Sequence, residues 1–193
     1  MRDSTATPDW STLPAPEDDG GARHLVGAHL PSVRLTATTG ESVDLSSLAG
    51  RTIIYAYPRT GQPGVANPDG WDMIPGARGC TPQTCAFRDR FRELRSLGVG
   101  HLFGLSTQDT AYQREAAGRL HLPFGLLSDE HLTLTRALRL PTFETSGMTL
   151  LKRHTLVIDN AAITHVFYPV FPPDRSASDV IQWLLEHQPD RDR

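Results

Sequence analysis

The sequence predicts an α/β fold in a single domain. Three observations predict it: short β-favouring runs, amphipathic segments of helical period between them, and a length of 193 residues, about that of one domain plus a tail. Hydrophobic residues make up 38 % of the chain, enough for a sizeable core and against disorder along its whole length.

The elements follow in chain order. Residues 1–24 hold Pro8, Pro14, Pro16, the acidic run Glu17-Asp18-Asp19 and Gly20-Gly21, with no periodicity, and read as a mobile tail. From Leu25 the composition turns globular, giving a domain over 25–187 and a short C-terminal tail over 188–193. Residues 33–37 alternate and meet Thr39-Gly40, a strand entering a turn. Thr52-Ile53-Ile54-Tyr55-Ala56-Tyr57 is a continuous apolar run stopped by Pro58, the pattern of a central buried strand. Residues 82–97 place Phe87, Phe91 and Leu94 on one helical face and end at Gly98. Residues 101–105 form a second buried strand, and Ser106-Thr107-Gln108-Asp109 starts a helix over 110–117. A further helix spans 129–138, opened by Ser128-Asp129. Residues 155–158 and 163–168 flank Asp159-Asn160 as a hairpin. The last helix has Ser176 near its cap and an apolar face of Val180, Ile181, Leu184 and Leu185. This order implies a sheet with helices on both faces.

One stretch resists the scheme. Residues 61–79 contain five Gly and three Pro in 19 positions. A loop of that length inside a domain is usually functional, and this one ends at Cys80. Its large apolar groups, Trp71, Met73 and Ile74, are read as anchoring the loop on the core in preference to forming a partner patch.

Charge and composition exclude several classes. Nineteen basic and 22 acidic residues give a net charge of −3, which argues against a nucleic-acid binder. Lys152 is the sole lysine and the arginines are scattered. No run approaches the ~18 apolar residues of a membrane helix. The N-terminus lacks an apolar segment, so a signal peptide is not expected and the cytoplasm is the expected location. Two cysteines are too few for a disulfide framework. A metal site is not expected, since no second Cys pair or His at ligand spacing accompanies them. His154 and His165 read as strand residues.

Cys80-Thr81-Pro82-Gln83-Thr84-Cys85 sits where the long loop becomes a helix. Pro82 belongs in a first turn, where its missing N–H costs nothing. Cys80 is therefore placed among unpaired amides at the positive end of the helix dipole, which favours a thiolate. An ordinary thiol is only about 3 % ionised at pH 7, and raising that to roughly 90 % takes about 3.4 kcal/mol. A helix terminus gives less than ~2 kcal/mol, so a second positive group is required. On a continuous helix, residues five apart have Cα atoms about 8.6 Å apart, beyond the ~7 Å reach of a disulfide. Cys80 and Cys85 are thus expected to bond only if the start of the helix unwinds. Two free core cysteines remain the alternative reading.

Gly79-Cys80-Thr81-Pro82-Gln83-Thr84-Cys85-Ala86-Phe87-Arg88-Asp89 resembles the active-site helix of atypical two-cysteine peroxiredoxins of the peroxiredoxin Q, or bacterioferritin-comigratory, group. The resemblance includes Tyr57-Pro58-Arg59, Phe103-Gly104-Leu105-Ser106, residues 122–129 and Arg153-His154-Thr155-Leu156-Val157-Ile158-Asp159, and spans about residues 25–186. It implies a thioredoxin-like fold with a central mixed sheet, and reduction of hydrogen peroxide and organic hydroperoxides without a metal or organic cofactor. It implies Cys80 as peroxidatic thiolate, Cys85 as resolving thiol and Arg153 as the guanidinium that holds the thiolate and peroxide. The chain departs from the pattern in its loop. Where the family has Pro seven before the cysteine and Thr or Ser three before it, this chain has Met73 and Ala77. Pro58 and Thr60 read as the displaced counterparts, separated from Cys80 by the insertion at 61–79, with Thr60 a donor to the peroxide. The register in which Thr81-Pro82 precedes Cys85 as the attacking thiol is disfavoured, because Ala86-Phe87-Arg88-Asp89 matches only with Cys80. The resemblance further implies a thioredoxin- or glutaredoxin-type reductant and a monomer or weak homodimer. The rival readings are a thiol–disulfide oxidoreductase on the same fold and a redox-sensing module without sustained turnover.

Overall fold

A computed structural model describes residues 8–187. Its sheet is built around the apolar run at 51–56. This strand, β3 (Arg51–Ala56), pairs in parallel with β4 (Val99–Ser106) and antiparallel with β8 (His154–Asp159). Beyond β4 lies β5 (Leu126–Ser128), then antiparallel β1 (Arg34–Ala37) and β2 (Ser42–Asp44); beyond β8 lies β9 (Ala162–Phe167). The seven strands run β2-β1-β5-β4-β3-β8-β9. A separate hairpin joins β6 (Thr142–Thr145) to β7 (Met148–Leu151).

The two-residue period of a strand sends neighbouring side chains of β3 to opposite faces. Ile54 and Ala56 enter one core with Leu105, Leu127 and Leu156; Ile53, Tyr55 and Tyr57 enter the other with Phe87, Leu94 and Val157. Because both faces are covered, β3 reads as one unbroken apolar run. The second core is closed by α1 (Cys80–Asp89), α2 (Phe91–Ser96) and α5 (Ser176–Glu186), the first by α4 (Thr133–Leu138) and residues 22–35. The helix α3 (Thr110–Arg119) begins at Asp109, whose carboxylate accepts from Tyr112 N at 2.7 Å. Gly104 is required by close approach: a Cβ there would stand 2.5 Å from Leu126 and 2.8 Å from the Tyr55 ring. That ring in turn stacks on Phe87 of α1, centroids 4.3 Å apart.

The sequence placed these layers correctly and missed several boundaries. The helix expected over 82–97 starts two residues earlier and breaks at Arg90 (φ −98, ψ 5) into α1 and α2. The helix expected over 129–138 is only α4, because the buried Asp129 carboxylate accepts from the amides of Leu134 and Thr135 five and six residues downstream. Ser176 does not cap α5; its hydroxyl is buried against Gln83 and Thr155. The hairpin turn is Asn160-Ala161, both with positive φ. The strands β2, β5, β6 and β7 were not expected.

Residues 8–24, read from the sequence as a tail outside the domain, pack upon it. Ala22 is buried, Trp10 Nε1 donates to Asp174 at 2.9 Å, and Asp19 accepts from Lys152 Nζ at 2.6 Å and Tyr168 at 2.7 Å. Isolated prolines and acidic residues carry no local signal for such contacts. The remaining tail assignments, at 1–7 and 188–193, lie outside the described residues. Within the 61–79 loop, Trp71 and Ala77 are buried against Leu150, with Ile74 and Phe143 around them, so the loop anchors on the β6–β7 hairpin. Met73 takes no part and is 75 % exposed.

Candidate active site

The helix α1 positions the sulfur. Its cap residue Gly79 is left-handed (φ 101), a conformation that favours glycine, and it turns the loop into the helix at Cys80. Gln83 N is the first amide to close, onto Gly79 O at 3.0 Å, and Pro82 carries no N–H. The amides of the first turn therefore face the start of the helix without helical partners. Cys80, Gln83, Thr84 and Phe87 form the buried face of α1, at the i, i+3, i+4, i+7 spacing. Cys80 is 4 % exposed, and Cys85 lies off this face, half-buried; both are free thiols.

Arg153, in the two-residue link between β7 and β8, supplies the second positive group. It is 3 % exposed, and its Nη2 donates to Cys80 Sγ at 3.2 Å. The same nitrogen lies 3.2, 3.3 and 3.2 Å from the carbonyls of Gly76, Ala77 and Arg78. Its Nη1 donates to Gln83 Oε1, whose amide nitrogen donates to Ser176 Oγ at 3.3 Å, and that hydroxyl meets Thr155 Oγ1 at 3.2 Å. The guanidinium is thus held on several sides by elements far apart in sequence. A guanidinium donor at this distance can hydrogen-bond a sulfur anion. In the thiol form Cys80 Sγ donates to Ala77 O at 3.6 Å.

The two cysteines differ in electrostatic setting. Burial pushes the Cys85 thiol above its ordinary value, and the Arg88 guanidinium offsets this only in part. Cys85 is therefore a protonated thiol at neutral pH.

A cavity of about 170 Å³ opens onto Cys80, lined by Arg59, Asn67, Trp71 and Arg78 from the loop side and Thr81 and Pro82 from the helix. Arg78 is paired with Asp72, and Arg59 lies over the Tyr112 ring at 5.3 Å. A larger cavity of about 450 Å³ reaches Arg153 between residues 15–19 and Phe143, but Cys80 does not line it. Of the two, Cys80 lines the smaller one.

Of the five residues expected at the site, Cys80 and Arg153 are in direct contact, and Cys85 shares the helix of Cys80. Pro58 and Thr60 lie just past the end of β3. The Pro58 carbonyl accepts from Ser106 Oγ at 3.0 Å. The Thr60 hydroxyl is buried on Gln108 Oε1 at 3.3 Å, and its amide donates to the same oxygen at 2.9 Å. Its neighbours Arg59 and Gly61 line the mouth; Thr60 does not. The position of the family hydroxyl is taken by Ala77, whose contribution is a carbonyl to Cys80 and Arg153. Gln83, Ser176 and Thr155 were missed. Gln83 was open to detection, as a polar residue three places after Cys80 on the apolar face of the helix. His154 and His165 are strand residues, as expected: the first is buried in β8 and the second stacks on Trp183, centroids 4.9 Å apart.

A family model described as Redoxin matches residues 25–181. The chain belongs to the Redoxin family. Among curated relatives, peroxiredoxin Q, chloroplastic, of Oryza sativa subsp. japonica is 29 % identical over 188 residues, covering 94 % of this chain and 78 % of that one. The same protein of Populus jackii is 30 % identical over 156 residues, covering 80 % and 65 %. Among solved structures, peroxidoxin BcpB of Mycobacterium tuberculosis superposes with a TM-score of 0.68 at 24 % identity, covering 85 % of this chain and 98 % of that one. A peroxiredoxin Q of Xanthomonas campestris gives 0.65 at 20 %, covering 84 % and 98 %. This Redoxin family member thus has the thioredoxin-like peroxiredoxin fold and is a peroxiredoxin similar to the Q group. No helix among the described residues is long and apolar enough to cross a membrane.

Proposed function

We propose that the protein reduces hydrogen peroxide and organic hydroperoxides through a Cys80 sulfenic acid that Cys85 resolves as an intramolecular disulfide. The observation that carries the reading is Arg153 Nη2 at 3.2 Å from Cys80 Sγ, at a helix start that opens to solvent through a small cavity. The Cys80 thiolate attacks the terminal peroxide oxygen, the O–O bond breaks, and the leaving hydroxide or alkoxide takes up a proton as water or alcohol. Arg153 and the first-turn amides stabilise the charge that moves onto that oxygen. Pro58 and Thr60 act indirectly, their links to Ser106 and Gln108 positioning Arg59 at the mouth.

The second half follows from α1. Both cysteines lie on one unbroken helix, so the first turn unwinds before Cys85 reaches the sulfenic acid. The S–S bond then forms with loss of water. A dithiol protein of thioredoxin or glutaredoxin type reduces it by exchange, becoming a disulfide itself. A cytoplasmic location and a monomer or weak homodimer complete the proposal.

The test is peroxide consumption coupled to thioredoxin. Cys80→Ser abolishes consumption; Cys85→Ser reacts once and stops, leaving a sulfenic acid at Cys80. The reverse pattern would exchange the roles. Reduction of protein disulfides with indifference to peroxide would replace the peroxidase reading with the oxidoreductase one, and oxidation once without sustained turnover would leave a sensor.

A further inference from the structure

We propose that Trp10, in a segment upstream of the family domain, is a positioning residue for the resolving step: it holds the first turn of α1 closed and sets how long oxidised Cys80 persists. The inference rests on the disulfide reading above. The matched domain begins at residue 25, yet residues 8–19 run across the active-site loop. Pro8 lines the mouth beside Cys80, Pro14 O accepts from Gly76 N at 3.4 Å, and Asp19 pairs with Lys152, the residue before Arg153.

Trp10 occupies the decisive place. A Cβ built on Gly79 would lie 2.8 Å from the Trp10 ring and 2.6 Å from Pro173. The Cβ side of the glycine that opens the helix is therefore closed by both rings. The indole is fixed there by its N–H on Asp174 at 2.9 Å and an edge contact with Phe171, centroids 6.2 Å apart. Unwinding residues 79–84 to bring Cys85 to Cys80 displaces the backbone of Gly79, so the indole must give way first. While it holds, a second peroxide competes with Cys85 for the sulfenic acid. In that branch the sulfur is oxidised to sulfinic acid and the peroxide reduced to water.

The readout is the partition between disulfide and sulfinic acid as hydrogen peroxide is raised, scored by mass spectrometry with a sulfenic-acid trap in timed quenches. Trp10→Ala is expected to speed disulfide formation about tenfold, the equivalent of ~1.4 kcal/mol, and to raise by a similar factor the peroxide needed for half-conversion to sulfinic acid. Trp10→Phe keeps a ring on Gly79 without the N–H bond and falls between, which carries the test if the alanine variant does not fold. A partition equal to wild type in both variants overturns the role of Trp10 and leaves the disulfide reading intact. Absence of any Cys80–Cys85 disulfide in the wild-type protein overturns the disulfide reading, and this inference with it.

Discussion

Replacing Arg153 with Met removes the cation that touches the Cys80 sulfur while keeping much of the side-chain volume. At 3.2 Å from Cys80 Sγ, a full charge pair has a Coulomb energy of about 5 kcal/mol at an effective dielectric of ~20. Part of that is offset by the hydration both groups give up, and hydrogen bonds to charged groups retain about 1.5–3 kcal/mol net. At about 1.36 kcal/mol per tenfold, the reaction of Cys80 with hydrogen peroxide should slow about ten- to hundredfold. The measurement is single-turnover oxidation of the reduced protein by stopped flow in a Cys85→Ser background, which removes the unwinding step. Stability falls as well, because Gln83 and the carbonyls of Gly76, Ala77 and Arg78 lose their donor. Folded protein is therefore verified by circular dichroism first. Arg153→Lys keeps the charge without the fork and should lose less. A folded Arg153→Met protein that reacts within threefold of the parent would show that the guanidinium does not activate the sulfur.

Three further outcomes follow from the packing. His154 is fully buried, donates from Nδ1 to Lys152 O at 2.8 Å and has no partner at Nε2; burial lowers its pKa from 6.5 to about 4. Its contribution, about 3 kcal/mol at ~1.36 kcal/mol for each tenfold change in proton affinity, is present above pH 6.5 and lost as pH falls through 4; His154→Phe should flatten the urea-midpoint profile over that window, and an unchanged profile refutes it. Burial of Cys85 predicts that in a Cys80→Ser protein its alkylation rate keeps climbing past the pH, near ~8.5, at which the urea-unfolded chain levels off; coincident profiles would deny the effect of burial. Glycines of opposite context should respond with opposite sign. Gly104→Ala drives a methyl into Tyr55 and Leu126 and loses about 2 kcal/mol, within the range for overpacking. Gly118→Ala, in α3 with open space around its position, gains up to about 1 kcal/mol; chemical denaturation reads both, and equal signs would refute the packing argument.

What could be read along the chain was what local physics encodes. The unbroken apolar run of β3, the Gly-Cys-x-Pro turn into α1 and the Asp109 cap of α3 each act within a few residues, so composition and spacing marked them, and with them the α/β class and the placement of Cys80 at a helix start. The need for a second cation was also legible, as an energy shortfall. Other features were decided only by the tertiary structure. Arg153, which the family resemblance named, meets Cys80 across 73 positions, but its supports, Gln83 and three loop carbonyls, are advertised by no motif. Thr60 binds Gln108, and Ala77 stands at the site with a backbone oxygen in place of a hydroxyl. Trp10 closes over Gly79 from a stretch whose prolines and acids resemble an unstructured tail. Such contacts join groups brought close only by the burial of the two cores, and chain separation erases any local signature of them.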